Sequence, residues 1–151
     1  MSFFDLTKPG GDFQGRNYEG DRMIADDLTS ITRRFESSYY EDVDVGNITA
    51  TLSATNVKKG ILKTTPAANI VLTSPTAALL VAEDPKYRAV GRGYEFTIVN
   101  LGGANTATLG AGVGVTLVGN ATVAALSSGR FYLRYTNVTA DAETVTIIRI
   151  A

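Results

Sequence analysis

The chain contains no cysteine, no histidine and no tryptophan. Without cysteine it has no disulfide, no thiolate nucleophile and no thiolate-bound metal. Without histidine it lacks the commonest general base and the commonest metal ligand. Long apolar runs are also missing, since no window approaches the roughly 18 consecutive apolar residues of a membrane-spanning helix. The N-terminus, MSFFDLTKPGGDF, has neither the basic start nor the apolar core of a signal peptide. These absences predict a soluble protein made in a cytoplasm, with no cofactor, no metal and no enzymatic activity.

Charge is scarce in one place. Residues 97–129, TIVNLGGANTATLGAGVGVTLVGNATVAALSSG, carry no charged side chain. The run is too polar and glycine-rich to span a membrane, and too apolar and β-branched to be a linker. It reads as short strands joined by glycine turns. A protein built this way works through shape and surface. The formal net charge of −1 gives no global field for nucleic acid, so no direct nucleic-acid binding is expected. The two ends of the chain differ, however. Residues 1–47 hold ten acidic against five basic side chains, and residues 48–151 hold nine basic against five acidic. The acidic segment can fold back on the basic body, dock on a neighbouring copy, or simply be solvated.

What is present divides the chain at residue 42. Residues 1–42 read as an N-terminal arm and helix, and residues 43–151 as a β domain. Gly10, Gly11, Gly15, Gly20 and Pro9 break any periodicity at the start. Yet Phe3, Phe4, Leu6, Phe13 and Tyr18 are too many large apolar groups for an idle tail. They are candidate partner-binding residues; the alternative is an arm packed on its own domain. Residues 21–39 read as an amphipathic helix capped by Asp21. Ile24, Leu28, Ile31 and Phe35 share one face, a stripe that needs a sheet or a partner to cover it.

From residue 42 the period changes to two. Ile48, Ala50, Leu52 and Ala54 alternate with Thr49, Thr51 and Ser53, a strand pattern, and Gly60 marks a turn. Residues 61–64 and 69–73 extend the strand series. Ser74 as N-cap and Pro75 at the first helical position open a short helix, over about 75–83, that stops before Pro85. Strands follow at 94–101, 106–109, 113–118, 121–123, 130–138 and 144–150. The inner face is expected to hold Phe96, Ile98, Leu117, Phe131, Leu133, Val145 and Ile147. The predicted fold is mainly β, a β-sandwich of jelly-roll type with an extended N-terminal arm and one amphipathic N-terminal helix. A β-solenoid is disfavoured because no fixed repeat recurs.

Candidate chemistry is thin. GAGVG at 110–114 imitates a phosphate loop, but a β-branched run follows it where a helix is required. The acidic cluster EDVDVGN at 41–47 lacks calcium-loop spacing and reads as a solvated linker. Asn47, Asn120 and Asn137 open formal glycosylation sequons, read as coincidence in a threonine-rich chain. Arg88, Arg92, Arg130 and Arg134 interleave with Tyr87, Tyr94, Tyr132 and Tyr135. Arginine and tyrosine are enriched at protein interfaces. Arg88, Arg92, Tyr94, Arg130, Tyr132 and Arg134 are therefore candidates for an oligomer interface, with single-stranded nucleic acid as the alternative.

Residues 66–151 also carry a resemblance. The apolar strand before the Pro-Thr-Ala helix, the FTIVN strand, the GVGVTLVGN unit and the closing RFYLRYTNV and VTIIRI pair resemble a β-rich module. That module occurs in structural proteins of tailed phages and some other large DNA viruses. The resemblance implies a virion component on the capsid surface, synthesised in the host cytoplasm. Its first expectation is a capsid cement or decoration protein, homotrimeric, with the major capsid protein as partner. A short tail-fibre or receptor-binding head is the alternative. A small enzyme is the third possibility, opposed by the missing histidine and cysteine.

Overall fold

A computed structural model describes residues Tyr40–Ala151. The expected arm and amphipathic helix lie outside the described residues. Ten strands and two short helices follow in chain order. They are β1 (Glu41–Asp44), β2 (Ala50–Thr51), α1 (Ala54–Lys59), β3 (Gly60–Thr64), β4 (Ile70–Thr73), α2 (Ala77–Ala82) and β5 (Gly93–Asn100). Then come β6 (Ala107–Gly110), β7 (Val115–Val118), β8 (Thr122–Val123), β9 (Ser127–Asn137) and β10 (Thr144–Arg149). The unit is mainly β, as the period-two patterns predict.

The strands form a six-stranded sheet, ordered β1-β3-β5-β9-β10-β7, and a four-stranded sheet, ordered β2-β4-β6-β8. From β1 to β6 the chain alternates between the two sheets. Each return lays a strand parallel to the one two earlier: β1 beside β3 beside β5, and β2 beside β4 beside β6. The second half is mostly antiparallel, β5 with β9, β9 with β10 and β6 with β8, while β7 lies parallel to β10. The sheets are therefore mixed. A jelly roll pairs neighbouring strands antiparallel, so the parallel half departs from that expectation. Its winding has the manner of a solenoid without a sequence repeat.

One hydrophobic cluster joins the two sheets. Leu62, Phe96, Ile98, Phe131, Leu133, Val145 and Ile147 enter it from the larger sheet, and Ile70, Leu72, Ala107, Leu109 and Val123 from the smaller. The Phe96 and Phe131 rings stack with centroids 5.4 Å apart. Of the expected inner face, Leu117 alone is only partly buried, because its strand β7 lies at the sheet's edge.

Local chemistry corrects three sequence expectations. The strand expected over 48–54 shrinks to two residues, because the Ser53 hydroxyl accepts the Asn56 N–H at 3.1 Å and caps α1. Gly60 ends that helix at φ 97°, in the left-handed region that glycine adopts without strain. The second helix is capped by Thr76, whose hydroxyl accepts from Leu79 N, rather than by Ser74. Ser74 is buried and accepts the Gly112 N–H at 2.9 Å instead. The presumed acidic linker contains a strand, β1, which puts Glu41 and Asp42 inside the sheet rather than before it.

Candidate functional site

Strand β9 carries three of the candidate interface residues, Arg130, Tyr132 and Arg134. Phe131, Leu133 and Tyr135 are buried, so alternation turns Arg130, Tyr132 and Arg134 to the outer face of the larger sheet. On that face Arg130 lies opposite Thr97, Tyr132 opposite Glu95 and Arg134 opposite Gly93 on β5. On the other side Tyr132 meets Ile148 and Arg134 meets Thr146. The Arg130 guanidinium forms two hydrogen bonds to Glu95 Oε2, at 2.8 and 2.5 Å. Farther along the same face Lys63 pairs with Asp42, and this hydrogen bond holds the Asp42 carboxyl below its ordinary pKa. The helices turn Ala54 and Val57, and Ala77, Leu80 and Val81, into the shared core.

Arg88 and Arg92 lie in the loop between α2 and β5. The loop is pinned to β9 by its backbone: Gly91 N donates to Tyr135 O at 2.9 Å, and Tyr135 N donates to Arg92 O at 2.8 Å. This sets Arg92 opposite Tyr135, one position before Gly93, the cross-strand partner of Arg134. Arg88, Arg92 and Arg134 are exposed and, among the described residues, form no ion pair. Tyr94 does not join them. It shares its strand parity with Phe96 and Ile98, and its ring packs edge-on against Tyr135 with centroids 6.4 Å apart. Its hydroxyl is buried with no hydrogen-bond partner among the described residues. Burial, reinforced by the Asp84 carboxylate, raises its pKa. The remaining sequence candidates, Phe3, Phe4, Leu6, Phe13, Tyr18, Ile24, Leu28, Ile31 and Phe35, lie outside the described residues.

Sequence reasoning missed the buried polar node at Asp84. This carboxylate is only 5% exposed. The Tyr135 hydroxyl donates to its Oδ2 at 3.1 Å and Lys58 Nζ to its Oδ1 at 3.2 Å. Lys58 also reaches the Glu83 carbonyl at 3.0 Å. The node ties α1 and the end of α2 to β9. Its signal was an acid two positions after the apolar run LLVA. With its oxygens engaged by structural donors, it is a clamp rather than an acid–base centre. Among the described residues no group of three or more acids could hold a metal ion.

Arg149 is the second structural charge. It stacks on the Phe131 ring at 5.1 Å and donates to the carbonyls of Asn120, Thr122 and Ser128, closing one end of the core. At the C-terminal end of β5, next to the Ser128 carbonyl that Arg149 reaches, a shallow cleft is lined by Val99, Asn100, Leu101, Leu126, Ser127 and Ser128. Its lining has no titratable side chain. Leu126 stands 75% exposed there in a left-handed backbone conformation, φ 50°.

The weaker motifs resolve into turns. GAGVG spans the end of β6 and the connection to β7, and no helix follows it. The Asn120 and Asn137 side chains accept the Thr122 and Thr139 N–H groups, each at 2.9 Å. These Asx turns give the Asn-X-Thr pattern a local structural use. The chain matches no family model, no curated protein sequence and no solved structure.

Proposed function

We propose that this protein is a virion structural component, a decoration protein that binds the major capsid shell. The observation carrying this reading is the build of the β unit. Its charge-free stretch 97–129 forms strands and turns from β5 into β9. Its two most engaged charges, Asp84 and Arg149, hold the fold together. What is left for function is surface, and the resemblance of residues 66–151 to a virion module supplies the setting. In this reading the N-terminal segment grips the shell through Phe3, Phe4, Leu6, Phe13 and Tyr18 and the stripe Ile24, Leu28, Ile31 and Phe35. The outer face with Arg130, Tyr132 and Arg134 meets neighbouring copies or the shell.

The test is addition of purified full-length protein to undecorated capsids of the parent virus. Saturable binding in many copies over the shell is expected. A variant lacking residues 1–20 should lose it, since buried aromatic anchors can each contribute about 2 kcal/mol or more. Binding confined to a few copies at the tail or a vertex would favour the fibre-head reading, and no binding would defeat both.

A further inference from the structure

Among the described residues the two sheets have four edges, and they are not protected alike. In the smaller sheet the edge strands β2 and β8 are two residues long. In the larger sheet β1 carries three carboxylates, Glu41, Asp42 and Asp44. Short edge strands and charged edge strands are two devices that keep sheets from joining. The fourth edge, β7, has neither. Its four residues, Val-Thr-Leu-Val, lie inside the uncharged stretch, with Thr116 and Val118 exposed. We propose that β7 is a self-association edge, pairing antiparallel with β7 of a second copy across a two-fold axis.

The register follows from the backbone. Val145 N donates to Gly114 O, and the parallel ladder pairs Val145 with Val115 through Ile148 with Val118. In such a ladder alternate residues turn their peptide groups toward the neighbour. Gly114, Thr116 and Val118 face β10, so Leu117 points its N–H and C=O outward. The Val115 N–H is occupied by Gly112 O at 3.1 Å, leaving its carbonyl outward. Antiparallel pairing centred on Leu117 lets each Leu117 N–H meet the Leu117 carbonyl of the other copy. With the axis perpendicular to the sheet, core faces join core faces, and Thr116 lies opposite Val118 of the second copy on the outer face.

Charge selects this partner. Two β7 edges meet without bringing any ionised side chains of β7 together, whereas two β1 edges would bring together the carboxylates of both copies and disturb the Glu41–Lys59 and Asp42–Lys63 pairs. A cyclic trimer needs β7 to pair with a different edge, and the other three are short or acidic. The inference is independent of the virion reading and concerns the free protein.

Sedimentation velocity of the full-length protein should give a dimer, or an even multiple. Two double variants at the exposed positions test the register: Thr116→Lys with Val118→Lys, and Thr116→Glu with Val118→Glu. Each places like charges opposite one another, which destabilises a strand pair. Each should halve the mass while keeping the wild-type circular dichroism spectrum. Mixing the two variants in equal amounts should restore the wild-type mass, because every Lys then faces a Glu. A wild-type monomer, double variants of unchanged mass, or a mixture that stays dissociated would each overturn the proposal.

Discussion

The Tyr135 hydroxyl, carried by a ring buried in the core, donates a hydrogen bond to Asp84 Oδ2 at 3.1 Å. The pair joins the longest strand to the end of a six-residue helix and to the loop that carries Arg88 and Arg92. That loop is held by this buried contact together with the backbone bonds of Gly91 and Arg92 to Tyr135.

Tyr135→Phe removes the donor and keeps the ring. The buried carboxylate then retains Lys58 as its side-chain partner. Hydrogen bonds to charged groups are worth about 1.5–3 kcal/mol, so a loss in that range is expected. Urea unfolding should show a lower midpoint at unchanged slope, the sign of lost stability rather than altered compactness. A double-mutant cycle with Lys58→Met should show coupling through Asp84.

Alkaline pH should weaken the fold through the same pair of rings. Burial raises the phenol pKa of Tyr94 and of Tyr135 above the ordinary phenol value of about 10. Both stay neutral in the folded state where the unfolded chain has begun to ionise. Their contribution is complete below about pH 10 and falls as pH rises above it, by about 1.4 kcal/mol per pH unit for each tyrosine. Phenolate absorbance should rise in two stages, exposed tyrosines first and these two only with unfolding. Ionisation of every tyrosine in one early step, with the fold intact, would contradict this.

Asn100 is a second buried polar anchor, 1% exposed. Its Nδ2 donates to the Asn105 carbonyl at 2.8 Å and the Val123 carbonyl at 3.2 Å, and its Oδ1 accepts Gly102 N at 2.9 Å. One side chain thus ties the end of β5, the following loop and β8. Asn100→Ala leaves three backbone groups without these partners, and a buried unsatisfied group costs about 1–3 kcal/mol. A loss of at least about 2 kcal/mol is expected. Asn100→Asp should be at least as damaging, since it sets an anionic oxygen against two carbonyls. Thermal unfolding of the two variants beside wild type checks the order.

Much of this fold was legible, and the illegible part has a physical cause. In β9 and β10, Phe131, Leu133, Tyr135, Val145 and Ile147 announce one buried face by alternation, and the face is there. Strand direction is different information. Whether β3 returns to lie beside β1 depends on where the chain crosses between sheets, and no residue in NITATLSAT encodes that. Short elements were lost for a related reason: one hydroxyl contact at Ser53 outweighs a weak alternation of Ile, Ala and Leu. At the surface, the parity of β9 correctly separates Arg130, Tyr132 and Arg134 from the core. The same rule applied to β5 puts Tyr94 with Phe96, so its inward position was readable. The Asp84 contact with Tyr135 spans two elements distant in sequence, and only the packed structure brings them together.

Two glycines give opposite expectations for the same substitution. A Cβ on Gly112 would lie 2.5 Å from the Ser74 and Pro75 carbonyl oxygens, which are backbone atoms and cannot swing aside. Relief by shifting Gly112 would strain its N–H bond to Ser74 Oγ at 2.9 Å. Gly112→Ala should therefore destabilise by about 1–3 kcal/mol, the usual cost of overpacking. A Cβ on Gly103 meets nothing within 4 Å, and its backbone is not in the left-handed region. Gly103→Ala reduces the freedom of the unfolded chain and should stabilise by about 0.4–1 kcal/mol. The measurement is the pair of melting temperatures, one below wild type and one above. If Gly112→Ala matches wild type, the close approach of the β6–β7 turn to the Ser74–Pro75 backbone is wrong.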